Sequence, residues 1–401
     1  MLLINNISQL LCMANHENEL DLIEDAALLI DDSTIFWCGP QKELPQVMVH
    51  NIIDAEKKVV MPGLIDCHTH LIFASKRAEE FSWRMSGESY QSIMAKGGGI
   101  QSTVSATRKA SHQQLFDSAH AYLTSMLHKG VTTIEAKSGY GLSSTHELAM
   151  LRILKELNAS HAVDISATFL GAHVIPSEYK ANAQSYVDAI INEMLPQIAH
   201  EKLAVDCDVF CEKGAFSIEQ TRTIFKKACD LGFGLRAHLE QLSYQGSAQL
   251  LLDFPIKSIS HGDFLRADDI KIIAMHNCIV ELVPIAALFL RAQQLPPVHE
   301  LVNSHVKLAI ATDFNPGSAM CNDLILAARL AVTLMEVAPA NALKAITVHA
   351  ALSLGFTDRG VIAPGKKADI LLTHCHDWNE IFYDWTMHPA RLTIKNGQLT
   401  N

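Results

Sequence analysis

The sequence predicts an α/β fold: a (β/α)8 TIM-like barrel with a small β-sandwich domain built from both chain ends. Three observations carry this expectation. Between residues 59 and 355, apolar β-branched runs alternate with polar loops and helical stretches, the pattern of a parallel sheet. Eight such runs occur, the strand count of a closed barrel. The chain has 401 residues, enough for one barrel of roughly 250 residues with additions, and both ends read as short strands.

In chain order, residues 1–58 hold the runs LLINN, AALLI and STIFWCG, separated by polar, Gly and Pro turns, and are expected to form the N-terminal part of the β domain. Residues 59–355 are expected to form the barrel, with strands KKVVMPGLIDCHTH, VTTIEAK, DISATFLGAH, LAVDCDVFC, FGLRAHLE, IKSISH, NCIVELV and VKLAIATD. Two of the helices between them carry the spacing of a capping box, Ser144 with Glu147 and Ser217 with Gln220. After a helical stretch over 340–354, residues 356–401 return to short β runs with Gly turns. Pairing the two ends in one sheet domain buries strands that neither end stabilises alone.

Composition excludes several function classes. Hydrophobic content of 49% with 19% charged residues describes a globular chain and not a disordered one. Lys and Arg total 32 against 43 Asp and Glu, a net charge of −11, opposite to the basic footprint of a nucleic-acid binder. Nine cysteines are scattered with no CxxC pair, which fits reduced thiols in the cytoplasm better than a disulfide scaffold or a zinc ribbon. No Lys or Arg precedes Lys42, so the positive region of a signal peptide is missing. The strongly apolar run Ile279 to Leu290 contains Glu281 and falls short of the about 20 residues that span a bilayer. The expectation is a cytoplasmic protein with a small-molecule substrate and neither nucleic-acid nor membrane partners.

The sharpest chemical signal is Asp66-Cys67-His68-Thr69-His70 at the end of the first barrel strand. Side chains at i and i+2 of a strand share a face, so His68 and His70 offer two imidazoles to one ion. Among 20 histidines an HxH pair alone is weak. Position strengthens it, because His173, His238, His261 and Asp313 also sit at ends of expected strands, where barrel enzymes build their sites. Any one of these histidines could be a hydrogen-bonded core group; together at one rim they describe a site. Three His and one Asp around a divalent ion, with one open position, lower the pKa of a bound water to about 7, which is hydrolytic chemistry. Asp313 could also take the water's proton and pass it to a leaving nitrogen, and His261 could donate a hydrogen bond to the developing oxyanion.

PGLIDCHTH, a barrel and a closing GVIAPGKKADILL together resemble the amidohydrolase superfamily. More narrowly, CHTHLIFASKRAEEF, GGGIQSTVSATR, KSGYGL, TFLGAHVIP, DVFCEKGAFS, HLEQLS and ATDFNPGS, in this order over residues 61–318, resemble the imidazolonepropionase family of histidine degradation. The resemblance implies hydrolysis of the ring amide of 4-imidazolone-5-propanoate to N-formimidoyl-L-glutamate by a homodimer with one zinc or iron ion per chain. It implies metal ligands His68, His70, His238 and Asp313, and substrate contacts from Arg77, Tyr140, His173, Gln241, Asn315, Gly317 and Ser318. An Arg gives a planar fork for a propionate carboxylate, and a Gly-Ser turn offers backbone N–H groups to an anion; the alternative for Arg77 is a salt bridge with Glu79 or Glu80. Tyr90 lies where the family has a tyrosine near the substrate, with packing as the alternative. Glu240, two residues after His238, is expected on the same strand face, acting in catalysis by holding the attacking water, or else orienting a ligand. Lys137 is not assigned to a two-metal site, because the resemblance is to the one-metal branch.

Three positions depart from the family pattern: Leu239 replaces an alanine, Ser260 an aspartate, and Ile285 a glycine. Loss of the aspartate at 260 removes an expected partner of His261. Two other functions compete with this one. An aminohydrolase acting on a purine or other cyclic amidine would share the metal chemistry, and a non-catalytic scaffold would be expected to show broken ligands.

Overall fold

The computed structural model describes residues 1–14, 20–88, 92 and 96–400. Its strands, in chain order, are β1 (Leu2–Leu11), β2 (Leu22–Asp31), β3 (Thr34–Pro40), β4 (Asn51–Asp54), β5 (Val59–Pro62), β6 (Leu64–Asp66), β7 (Val131–Lys137), β8 (Asp164–Ala172), β9 (Asp206–Cys211), β10 (Gly234–Leu239), β11 (Ile256–His261), β12 (Ile279–Leu282), β13 (Leu308–Ile310), β14 (Ile370–Thr373), β15 (Ala390–Lys395) and β16 (Gln398–Leu399). Strands β6 to β13 pair in sequence order, all parallel, as one eight-stranded sheet. Its two ends meet: Asp313 N–H donates to the His68 carbonyl at 3.0 Å and His70 N–H to that of Phe314 at 2.9 Å. Below them, the Asp66 carboxylate accepts from Thr312 N–H at 3.1 Å and its hydroxyl at 2.6 Å. The sheet is therefore a closed (β/α)8 barrel, with helices such as Ser144–Ser160 and Ile218–Asp230 packing apolar faces on its outside.

The remaining strands come from both chain ends and form a second sheet in the order β16-β15-β14-β5-β1-β2-β3, with β4 beside β1. Its free edge turns back on itself: Ile35 N–H donates to Lys366 O and Ala368 N–H to Ser33 O, each at 2.8 Å. The rolled sheet encloses Ile4, Ile7, Leu10, Leu28, Ile370, Leu372 and Ile394.

Two local expectations are corrected. The run KKVVMPGLIDCHTH is not one strand: Val59–Pro62 pairs with β1 and β14 in the terminal sheet, and only Leu64–Asp66 enters the barrel. Gly63 makes the step between sheets. A Cβ there would lie 2.5 Å from Thr132 Cγ2, so no larger residue fits. The Ser217 and Gln220 capping box forms, but Ser144 and Glu147 make none. The Glu147 carboxylate instead accepts the N–H groups of Gly139, Gly141 and Leu142 at 3.0, 2.8 and 2.7 Å, because the KSGYGL turn leaves three buried donors that outweigh one cap bond. The apolar run from Ile279 divides into β12 and the helix Pro284–Leu290. Among the described residues no helix is long and apolar enough to cross a membrane.

The tail is tied to the barrel floor by Asp164 at the start of β8, which accepts from Arg359 at 2.5 Å, Lys395 at 2.9 Å and Lys367 at 3.0 Å. Burial opposes its charge, but Lys395, Lys367 and Arg359 hold its carboxyl down to about 2. Replacing it as Asp164→Asn removes the carboxylate paired with Lys367 and leaves Lys395 and Arg359 only Asp369 and Asp358 as acidic partners, and denaturant unfolding at pH 7 should show a loss of about 1–3 kcal/mol. The native carboxyl titrates below its unfolded value of about 3.9, so its contribution is complete above that pH and disappears as pH falls toward 2. Wild type and variant should therefore converge in stability over that acid interval.

Candidate metal centre and active site

His68 and His70 follow β6, His238 lies in β10, His261 ends β11 and Asp313 follows β13, so strand ends bring all five to one rim. One nitrogen from each of His68, His70 and His238 lies within 4.8 Å of the other two. Three imidazole nitrogens here are buried without a hydrogen-bond partner: His68 Nε2, His70 Nδ1 and His238 Nε2. An unpaired buried nitrogen is costly, and three imidazoles that each offer one nitrogen within 4.8 Å of the other two are the donor set of a divalent cation. Asp313 Oδ1 lies 3.5 Å from His68 Nε2 and 3.3 Å from His70 Nε2, adding a carboxylate on the same side. The residues present therefore fit a single zinc or iron ion.

The opposite nitrogens show what aims the rings. His238 Nδ1 is 3.0 Å from Asp208 Oδ1; a carboxylate only accepts, so Nδ1 carries the proton and Nε2 keeps its lone pair. The other Asp208 oxygen is 2.8 Å from the Lys137 ammonium, which also pairs with Glu135 at 2.8 Å. His68 Nδ1 is 2.8 Å from the Ser260 hydroxyl, which donates to Glu281 at 2.8 Å. Glu281 is in turn paired with Arg236 and accepts from the Ser353 hydroxyl at 2.8 Å. All five charged residues are sealed from solvent inside the barrel. Lys137 is thus an ion-paired ammonium.

Carboxylates draw positive charge to His68, while burial keeps the neighbouring rings neutral. Burial and Lys137 oppose a proton on His68, yet Asp313 and Glu281 outweigh them and lift it to about 9. Burial pushes His70 down to about 4, against the pull of Asp313. Burial and the neighbouring His70 push His173 down to about 3, and burial holds His261 well below its ordinary value. Burial works against the Asp313 anion, but His68 and His70 keep its carboxyl well below the usual carboxylate range.

A family model described as the amidohydrolase family matches residues 59–400. The chain belongs to the amidohydrolase family. Within it, the chain is 40% identical over 388 residues to the imidazolonepropionase of Shewanella frigidimarina, covering 96% of this chain and 95% of that protein. It is 42% identical over 383 residues to that of Shewanella woodyi, covering 94% of each. Solved structures share the fold: atrazine chlorohydrolase from Arthrobacter aurescens TC1 complexed with zinc, at TM-score 0.73 and 18% identity over all of this chain and 95% of that one, and an adenosine deaminase from Xanthomonas campestris with bound zinc, at 0.73 and 18% over 99% and 92%.

Around this amidohydrolase centre the other expected residues fall as follows. Tyr140 and His173 are neighbours of His70, with ring centroids at 5.8 and 5.3 Å. Gln241 lines a cavity with His261. Arg77 takes its alternative partner, placing Nε 2.9 Å from Glu80 and Nη2 on the same carboxylate. Arg84 also binds Glu80, at 2.8 Å, so two guanidinium groups share one negative charge and a net positive charge remains. The Arg77 Nη1 packs so closely on Gly317 that a Cβ there would overlap it. The Gly317 and Ser318 N–H groups are not open to an anion as expected; both donate to Asn315 Oδ1 at 2.8 Å, which closes the turn on itself. Glu240 does not share the His238 face either. Its φ of 52° swings it out of the strand, and its carboxylate accepts from Gln245 N–H at 2.8 Å and Ser247 N–H at 2.7 Å. Tyr90 lies outside the described residues.

Ser260 overturns a further expectation. Residue 260 faces the barrel interior and serves His68, not His261, so its departure from the family pattern bears on a metal-facing ring. Leu239 and Ile285 are buried apolar side chains. The sequence reading missed Asp208 and Glu281. Their signal is charge at alternate positions of otherwise apolar strands, as in IEAK, DCD, LRAH and IVEL, which places charged groups on the inner face of a barrel. Ser260→Ala should leave His68 Nδ1 only its longer direct contact with Glu281, 3.5 Å, and weaken metal retention about 10- to 100-fold, read as metal content after competition with a chelator. Unchanged retention would remove Ser260 from the support of the site.

Proposed function

We propose that this amidohydrolase opens the ring of 4-imidazolone-5-propanoate, hydrolysing its cyclic amide to N-formimidoyl-L-glutamate in histidine degradation. The observation that carries the reading is the match to imidazolonepropionases at about 40% identity over nearly the whole chain, joined to three orphaned imidazole nitrogens at one rim. His68, His70, His238 and Asp313 would hold one zinc or iron ion. When bound, such an ion lowers the pKa of water near it and supplies a nucleophile at neutral pH.

The chain's own groups have separable roles. Asp313, ionised and next to His68 and His70, accepts a proton from the attacking water and passes it to the ring nitrogen that leaves. Oxygen adds to the ring carbonyl carbon, the carbon–nitrogen bond breaks, and the acid formed yields its proton to the amidine. His261 is kept neutral by burial, so it donates one N–H toward the carbonyl oxygen as charge develops there. His173, also neutral, stacks on His70 at 19° between planes and hydrogen-bonds through Nδ1 to the Gly139 carbonyl at 3.0 Å, which presents its other nitrogen to the substrate. The positive charge shared by Arg77 and Arg84 attracts the propionate. This reading places the enzyme in the cytoplasm as a homodimer; nine free thiols agree with a reducing compartment.

Purified protein reconstituted separately with zinc and with iron should consume freshly prepared imidazolonepropionate, followed by loss of its ultraviolet absorbance. Asp313→Asn should lower kcat by about 100- to 10,000-fold. Metal-loaded wild type that leaves this substrate intact while deaminating a purine or another cyclic amidine would replace the reading.

A further inference from the structure

The rim has two sides. Arg77 and Gly317 follow β6 and β13, which are neighbours at the barrel closure. Across the mouth, β10 and β11 lead into Gln241, His261 and Asp263. His261 and Gly262 both take left-handed backbone conformations, with φ of 73° and 77°, and Gly262 N–H donates to Leu239 O at 3.1 Å. This sharp turn sets Asp263 into the wall of a cavity of about 270 Å³, whose lining includes Gln241, His261, Val283 and Ala286. Arg291 borders the same cavity but directs its guanidinium to the Met85 carbonyl at 3.1 Å.

Asp263 is 8% exposed, and its carboxyl has no hydrogen-bond or ion-pair partner among the described residues. The carboxylates of Glu147, Asp208, Glu240 and Glu281, by contrast, are buried with donors. A carboxyl that is desolvated, unpaired and open to a cavity costs stability, and such exceptions mark groups waiting for a ligand. Burial alone pushes it up to about 7, so a donor arriving there would relieve the cost of ionising it.

We propose that Asp263 is a specificity-determining residue that binds the planar N–H pair of an amidinium, the formimidoyl end of the ring-opened product. The inference rests on the proposed reaction, in which the released ring nitrogen becomes the terminal nitrogen of a formamidine. That group is protonated at neutral pH and presents two N–H donors in one plane, the arrangement a carboxylate accepts in a bidentate way. The propionate would face Arg77 on one side of the mouth and the amidinium Asp263 on the other, with the reacting carbon over the histidines.

Two probes isolate the amidinium. N-formimidoyl-L-glutamate and N-formyl-L-glutamate differ at one terminal atom, and calorimetry on the metal-loaded protein reads their affinities without turnover. Wild type should prefer the formimidoyl compound by about tenfold or more. Asp263→Asn and Asp263→Ser should each bring that preference within about twofold while metal content stays unchanged. Equal affinities in wild type, or a folded variant that keeps the full preference, would overturn the assignment. A preference in wild type that is lost in the variants, without turnover of imidazolonepropionate, supports the amidinium site and contradicts the proposed reaction. Turnover without the preference does the reverse.

Discussion

Three buried imidazoles each offer one nitrogen within 4.8 Å of the other two, and most of the barrel interior is explained by what that demands. A ring that binds a cation must be neutral and fixed in one tautomer, and a carboxylate or hydroxyl on the far nitrogen does this. Asp208 serves His238 directly, whereas Glu281 serves His68 through Ser260. Each carboxylate then needs a counter-charge, because an unpaired anion in that interior is prohibitive. Lys137 of β7 and Arg236 of β10 provide it, each from a strand two places away from its carboxylate on β9 or β12. The charged layer beneath the histidines is thus a consequence of orienting them.

The same residues close the barrel. The closure between its first and last strands runs through the backbone of 68–70 and 313–314, with the Asp66 carboxylate on Thr312 below, the segments that carry His68, His70 and Asp313. A displacement of either segment would open the sheet and separate the ligands together. At three strand ends the chain leaves regular geometry, with positive φ at Glu240, His261 and Asp313. Such conformations cost about 1–3 kcal/mol each and are kept where geometry has a use. For His261 and Asp313 the use is to face the mouth, and for Glu240 it is to hold the loop through Gln245 and Ser247.

Legibility followed the range of each signal. The eight barrel strands and the pairing of the chain ends were readable, because strand patterning and turn residues are local. His68 and His70 were readable through a two-residue period, and His238 and Asp313 through their places at strand ends. The split at Gly63 was hidden inside one continuous apolar run, since nothing in its composition says which sheet receives which half. Glu240 was misplaced because the i, i+2 rule fails once φ changes sign. Ser260 was assigned to its chain neighbour His261, whereas the true partner is 192 positions away. Asp208 and Glu281 left a trace in the alternation of charge within apolar strands, but their partners come from other strands and no local rule names them.

The most direct test of this account is anomalous diffraction from crystals of the protein grown with zinc and, separately, with iron, collected at each metal edge. One peak per chain enclosed by His68, His70, His238 and Asp313, with Lys137 still paired to Asp208 and Glu135, is the predicted result. A second peak beside Lys137, or a metal bound away from these three imidazoles, would contradict it.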